Sequence, residues 1–350
     1  MLFRSCQDGL RVKPRPKAKI TALETGSLVH YALEQICRRH PGKELSQLAD
    51  DALWREIRQV SGVYIRRAFA GAVEEQRVKY QLDRICGNLF HLLRSIGLEF
   101  EQSRFVPVDF ELSISPGGQV EPLVLRTPLG ASVQVEGRVD RVDTMEKDGV
   151  CYLRVVDYKT GSKQFRLSDV YQGINMQMLL YLFTIWKNGT ERYGELLPAG
   201  VLYLPSTVPM SSSSLGEEPV RTVKMNGLLL DDPNALHGME PGMKGVFIPC
   251  KVKKDGTYDA YSSVATLEQM GRLSRMIDCR ISQMADQLLK GQVEAVPLSF
   301  NGGVHCDYCE YRAVCTREQE DPLREAPDLD SAQVLERIEA ELEKGELDPS

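Results

Sequence analysis

Residues 137–161 read GRVDRVDTMEKDGVCYLRVVDYKTG. Two apolar, β-branched runs flank the charged turn MEKDG at 145–149, which is the pattern of a hairpin. Each run carries an acid, Asp140 in the first and Asp157 in the second, and Lys159 follows two residues after Asp157. Successive side chains of a strand alternate faces, so Asp157 and Lys159 point the same way. Closing the turn sets Asp140 on the neighbouring strand, and two carboxylates and an ammonium converge on one small patch. Carboxylates that close repel each other, and one keeps its proton unless a cation sits between them. A hard divalent ion such as Mg²⁺ takes oxygen ligands and keeps several waters. The lysine can hold and polarise one such water and offset charge building on a phosphate. The patch therefore suits metal-assisted phosphodiester hydrolysis. An isolated D-x-K is far more often a solvated strand end with ordinary ion pairs, so this reading needs company.

The flanking sequence supplies it. Upstream, ALETGSLVHYALEQICRRH has helical spacing, with Leu28, Ala32 and Ile36 recurring at four and Thr25 as a candidate cap. Gly26 and His30 fall at i, i+4 on one face of that helix, close enough for the imidazole to act as a third metal ligand. A helical His alone is more often a satisfied, partly buried residue. Residues 47–101 read as amphipathic helix, and FVPVDFELSIS (105–115) and EPLVLRT (121–127) read as strands. Downstream, SDVYQGINMQMLLYLFTIWKNG reads as one long helix stopped at Asn188-Gly189. It carries a polar stripe of Gly173, Gln177 and Tyr181, which is as consistent with a helix edge as with contact to a scissile phosphate. AGVLYLPS is another strand, residues 206–264 are rich in Gly, Pro and Ser, and TLEQMGRLSRMIDCRISQMADQLLKGQ is a helix ending at Gly291. Helices, a meander of strands, a long helix and a further strand predict an α/β fold with a mixed sheet flanked by helices.

The chain has 350 residues, 42% of them apolar and 26% charged, which are ordinary globular values. No apolar run is long enough to span a membrane, and the N-terminal stretch lacks the apolar core of a signal peptide, so a cytoplasmic location is expected. There is no G-x-x-x-x-G-K-[ST] and hence no evident ATP site. The net charge of −6 is unevenly spread: residues 317–350 hold twelve acids and four bases, leaving the other 316 residues near +2. That balance does not oppose a nucleic-acid partner. The start is locally basic, with Arg11, Lys13, Arg15, Lys17 and Lys19 in a Pro-containing extended stretch, fitting either a solvated arm or a phosphate contact.

Nine cysteines without a secretion signal do not suggest disulfides. Cys306, Cys309 and Cys315 crowd into CDYCEYRAVC. Three thiolates at that spacing call for a structural Zn²⁺ or an iron–sulfur centre, with one more ligand to close it; His305 or a distant cysteine could serve.

In order, the motifs are G-x-x-x-H, G-x-x-D, D-x-K and Q-x-x-x-Y. This set resembles the RecB-like branch of the PD-(D/E)XK phosphodiesterases, over most of the chain. The resemblance implies a restriction-endonuclease-like sheet with an iron–sulfur-stapled C-terminal segment. It implies a basic arm (1–22), a nuclease domain (23–316) with a loop-rich insertion (206–264) and a cysteine cluster (305–316), then an acidic tail (317–350). His30, Asp140, Asp157 and the Tyr158 carbonyl would be ligands of Mg²⁺ or Mn²⁺, Lys159 the catalytic lysine, and Gln177 and Tyr181 an accessory pair. Some members carry a [4Fe–4S] cluster with one cysteine ahead of the first motif. Cys306, Cys309 and Cys315 match the other three, and Cys6 is the one cysteine left for that place. GLRVKPRPKAKITALETGSLVH and VHCDYCEYRAVC look like the C-terminal nuclease of AddB-type helicase–nuclease subunits, and the chain looks like the last third of such a protein. This likeness implies a metal-dependent exonuclease acting on single-stranded DNA during double-strand-break processing, beside an AddA-type helicase subunit. The alternatives are a catalytically silent DNA-binding scaffold and a stand-alone CRISPR-adaptation-type exonuclease.

Overall fold

The structure, a computed structural model, describes residues 20–68, 76–159, 164–206, 222–292 and most of 294–347. The basic arm with Cys6 and the basic residues at 11–19, the SSSS run at 211–214, and His305 lie outside the described residues.

Four helices come first: α1 (Ala22–Arg39), α2 (Lys43–Gln47), α3 (Asp50–Ala68) and α4 (Gln76–Gln102). Helix α1 begins one turn earlier than its apolar spacing suggests. Its cap is Thr21, whose hydroxyl accepts from Glu24 N at 3.3 Å while Glu24 accepts from Thr21 N at 2.7 Å. Thr25 instead sits inside the helix and donates back to the Thr21 carbonyl. The reciprocal pairing of two orphan amides outcompetes a lone hydroxyl further along.

Strands β1 (Val106–Ile114), β4 (Gly137–Lys147), β5 (Val150–Lys159), β6 (Leu196–Pro205), β7 (Asn226–Leu230) and β8 (Val264–Ala265) form one sheet, ordered β1-β4-β5-β6-β7-β8. It is a mixed sheet. The β4–β5 pair is the expected hairpin, closed by Asp148 and Gly149 with φ of 53° and 80°, as a two-residue primed turn requires. The β5–β6 pair is parallel, so the intervening chain must cross over, and it does so through α5 (Leu167–Tyr171), α6 (Gln177–Asn188) and α7 (Thr190–Tyr193). The EPLVLRT segment makes strand β2 (Leu123–Arg126), but it pairs with β3 (Ser132–Val135) in a separate two-stranded ribbon.

The helix expected from Ser168 to Asn188 is two helices. Gly173 and Asn175 take φ of 83° and 58° between α5 and α6, and the Asn175 amide donates to Asp169 at 2.9 Å. Left-handed backbone and a local side-chain bond end the first helix, so Gly173 lies in the break and not on the stripe with Gln177 and Tyr181.

Within 206–264, β7 and β8 complete the central sheet, with α8 (Pro233–Met239) between them. Helix α9 (Leu267–Leu289) carries a Thr266–Gln269 capping box. Strands β9 (Leu298–Phe300), β10 (Gly303–Val304) and β11 (Arg324–Glu325) form a small third sheet around the cysteine segment. Helix α10 (Ser331–Glu343), from the acidic stretch, buries Val334 and Ile338 in the main core. Among the described residues, no helix is long and apolar enough to cross a membrane.

The sheet face toward α4 holds four buried charges. Asp143 accepts from Arg141 Nε (2.7 Å) and Arg154 Nε (2.8 Å), and Arg154 Nη2 also donates to Glu99 at 2.8 Å. Arg141 lies over the Phe100 ring and Arg154 over Phe105. Two cations and two anions cancel, which makes their burial tolerable.

Candidate active site

The site forms where the β4–β5 hairpin meets α1. Strand β5 is buried along nearly its whole length and delivers Asp157, Tyr158 and Lys159 at its end. Asp140 on β4 accepts from the Tyr158 amide at 2.9 Å, which locks the two strands together at this level. Helix α1 brings His30 over the same point: its Nε2 lies 2.8 Å from the Tyr158 carbonyl oxygen and its Nδ1 3.4 Å from Asp140 Oδ2. A cleft of about 680 Å³ opens here, lined among others by Gly26, His30, Glu34, Glu111, Arg138, Asp140 and Lys159.

His30, Asp140, Asp157, Tyr158 and Lys159 are therefore neighbours in space. Their pairing has a detail that sequence does not show. Asp157 turns to the Lys159 ammonium, with Oδ2 2.7 Å from Nζ, while the same oxygen is buried and lacks a partner in hydrogen-bond geometry. Burial and the Asp140 charge push the Asp157 pKa up, against the pull of Lys159 and His30. Burial works to lower the His30 pKa, but the hydrogen bond to Asp140 and that residue's charge outweigh it, and the net shift is upward.

Glu111 was not expected. One ligand atom from each of His30, Glu111 and Asp140 lies within 4.8 Å of the others. Glu111 sits mid-strand on β1 with φ of 53°, a conformation costly for a side-chain-bearing residue. Its pKa is raised by burial and by the carboxylates of Asp140 and Glu34. The β1–β4 register explains its position: Pro107 pairs with Asp143 but Asp109 with Val142, so Val108 is an extra, bulged residue. Beyond the bulge, Phe110↔Arg141 and Leu112↔Val139 set Glu111 opposite Asp140. Arg138 stands beside it, its guanidinium 3.6 Å from Glu111 and largely exposed. The only sequence signal for Glu111 was an acid in a strand otherwise fit for a core.

Gln177 and Tyr181 do not line the cleft; they act one layer away. Gln177 Nε2 donates to the Tyr181 hydroxyl at 3.0 Å, and that hydroxyl lies against Gly137, three residues before Asp140. A Cβ on Gly137 would stand 2.2 Å from the Tyr181 oxygen and 2.5 Å from its ring. This accounts for the glycine of the G-x-x-D motif: it is the notch that receives the tyrosine. Gly137→Ala is expected to expel Tyr181 and move the Asp140 strand, costing about 1–3 kcal/mol in urea unfolding as overpacking does. The double variant Gly137→Ala/Tyr181→Ala is then less destabilised than the two singles summed; simple additivity would contradict the notch.

The donor set fits a hard divalent cation. Three carboxylates, one imidazole and a carbonyl oxygen converge, and one carboxylate oxygen is buried without a hydrogen-bond partner. Two of the acids, Glu111 and Asp157, are held above their ordinary pKa by burial and by the Asp140 charge, which a bound cation would relieve. The chemistry available at such a patch is cation-assisted attack of water on a phosphoryl or similar centre, with an ammonium at hand.

Cys306 is half-buried, and Cys309 and Cys315 are exposed. A turn brings the first two together, with Cys309 N donating to the Cys306 carbonyl at 3.2 Å, and Cys315 N closes the next turn onto Tyr311 O. The other described cysteines, Cys37, Cys86, Cys151, Cys250 and Cys279, are all buried.

Comparison with known proteins agrees with this site. Residues 3–316 match the family model of the PD-(D/E)XK nuclease superfamily. Relatives named as the B subunit of an ATP-dependent helicase/deoxyribonuclease include those of Clostridium acetobutylicum (32% identical over 322 residues, 88% of this chain and 28% of the relative) and Clostridium botulinum strain Loch Maree (32% over 328 residues, 90% and 29%). That of Acetivibrio thermocellus is 27% identical over 325 residues, 88% of this chain and 28% of the relative. The chain thus spans just over a quarter of the length of these relatives. With the family model covering nearly the whole chain and the motifs gathered at one cleft, the chain belongs to the PD-(D/E)XK nuclease superfamily.

Proposed function

We propose that the chain is a metal-dependent deoxyribonuclease that hydrolyses phosphodiester bonds of a single DNA strand during double-strand-break processing. One observation carries this reading: His30, Glu111 and Asp140 present their ligand atoms within 4.8 Å of one another, beside an Asp157–Lys159 pair at 2.7 Å. His30, Asp140, Asp157 and the Tyr158 carbonyl, joined by Glu111, would hold Mg²⁺ or Mn²⁺. When bound, the ion supplies Lewis acidity to the phosphate and acidifies a water. Lys159, anchored by Asp157, orients that water and offsets charge developing on the phosphoryl oxygens. Arg138, exposed at the rim, reaches the phosphate with its guanidinium once it leaves Glu111. Gln177 and Tyr181 hold Gly137, and through it the Asp140 strand, in register.

The relatives' name supports a place beside an AddA-type helicase subunit in the cytoplasm, with that partner feeding the strand, since this chain shows no ATP motif. Cys306, Cys309 and Cys315 hold a [4Fe–4S] cluster, with Cys6 as the fourth ligand; a structural Zn²⁺ is the competing occupant, and iron, sulfide and zinc content of anaerobically purified chain tells them apart. The cluster clasps the C-terminal segment and takes no part in the hydrolysis.

The test is cleavage of end-labelled single-stranded DNA by the folded chain, with Mg²⁺ and with EDTA. Cleavage only with the cation supports the reading. A folded preparation that retains its cysteine-bound metal and cuts nothing overturns it in favour of the silent scaffold. Glu111→Gln is expected to weaken Mn²⁺ binding about tenfold by calorimetry, as loss of one charged group at a metal site does; unchanged affinity removes Glu111 from the ligand set.

A further inference from the structure

A second cavity, of about 480 Å³, opens beside the end of β6 and is lined by Gln164, Phe165, Pro205, Lys224, Asn226 and Tyr261, among others. From it we infer a stacking subsite for an unpaired nucleobase of the substrate strand, next to the phosphate that is cut. The inference rests on the nuclease reading above and names the feature that would make it act on single strands.

The cavity is joined to the catalytic patch by ring contacts. Phe165 stacks on Tyr203, centroids 6.2 Å apart and 30° between planes. Tyr203 pairs with Asp157 across the β5–β6 ladder, and Lys159 Nζ lies 5.6 Å from its ring centre. Pro205, in the cavity wall, is the register partner of Lys159 itself. A nucleotide whose phosphate meets Lys159 therefore has a path along Tyr203 and Phe165 into the cavity.

The lining suits a base and not an aliphatic ligand. Tyr261 is 86% exposed, so its ring contributes nothing to the core and offers a free face. Phe165, Pro205 and Pro249 give flat or rigid apolar walls, and an exposed Lys224 supplies a positive charge at the rim for the backbone. Asn226 is already committed: its Oδ1 accepts from the Phe165 amide at 2.6 Å, which fixes the ring and leaves little hydrogen-bonding capacity to read a base edge. Such a platform accepts any base, because each has a π-face, and rejects a duplex, whose faces are already stacked. Sequence-tolerant binding of a single strand follows.

The experiment uses the full chain in EDTA, where hydrolysis is off, and fluorescence anisotropy with a labelled single-stranded oligonucleotide. A set of the same oligonucleotide carries one abasic sugar at successive positions. The parent is expected to lose about tenfold in affinity when the abasic sugar falls at one particular position. Tyr261→Ala, a surface change that leaves the fold alone, is expected to lose a similar factor on the intact oligonucleotide and to be indifferent to that abasic position. Tyr261→Phe restores both behaviours. Lys224→Ala weakens all oligonucleotides alike and lowers the salt slope by about 1. Tyr261→Ala binding every oligonucleotide as the parent does overturns the subsite and leaves the nuclease reading standing; that result would mark Tyr261 as a protein contact. A parent that neither binds nor cuts single strands defeats both.

Discussion

Lys159→Ala is expected to lower DNA cleavage by about 10²–10³-fold while Mn²⁺ still binds, measured by single-turnover cleavage beside calorimetry. The reason is positional. Lys159 ends β5 with its ammonium 2.7 Å from Asp157, partly open to the cleft. Nothing in the core depends on it, so the variant folds. Removing a cation from among carboxylates also leaves the site more anionic, and divalent-ion affinity stays level or rises. Asp157→Ala differs: it takes away a ligand together with the anchor of the lysine, and both cleavage and ion affinity fall. Full activity in Lys159→Ala would remove the lysine from the chemistry, and equal loss of ion binding in both variants would make it merely structural.

The second large effect lies beneath the site. Asp143→Ala is expected to destabilise the chain by about 3–5 kcal/mol, because it strands the guanidinium groups of Arg141 and Arg154 in a dry interior. Urea unfolding by circular dichroism reads this as a midpoint lowered by roughly 1–2 M for a slope near 3 kcal/mol per molar. Glu99→Gln, which keeps the shape and one hydrogen bond to Arg154, costs less and serves as the folded control. The consequence reaches the cleft, since Arg141 Nη1 lies 3.5 Å from the Tyr158 hydroxyl, on the residue whose carbonyl faces His30. A midpoint unchanged in Asp143→Ala would mean that water reaches the quartet.

The hairpin at 137–159 was legible because its signals are local. Alternation, β-branched residues and an Asp-Gly turn all act within a few residues, and the observed strands and primed turn match them. The motif spacings were legible for the same reason, down to Gln177 and Tyr181 one helical turn apart. Two local readings were misplaced. Thr21, not Thr25, caps α1, since a reciprocal bond with Glu24 prevails, and the helix expected from Ser168 breaks at Gly173 and Asn175 where the backbone turns left-handed.

By itself the sequence determined the class of sheet, the order of the acids and lysine along it, and the segments that carry them, because each depends on neighbours in the chain. Tertiary structure alone decided that Glu111 joins His30 and Asp140. That placement needs a bulge at Val108, a left-handed residue mid-strand and a register with β4, none of which periodicity encodes. It also decided that Gly137 is a notch for Tyr181, that four buried charges cancel under the hairpin, and that part of the acidic stretch folds back onto the core through Val334 and Ile338. Each of these joins residues far apart in the chain, and their meeting is set by how whole elements pack rather than by any local preference.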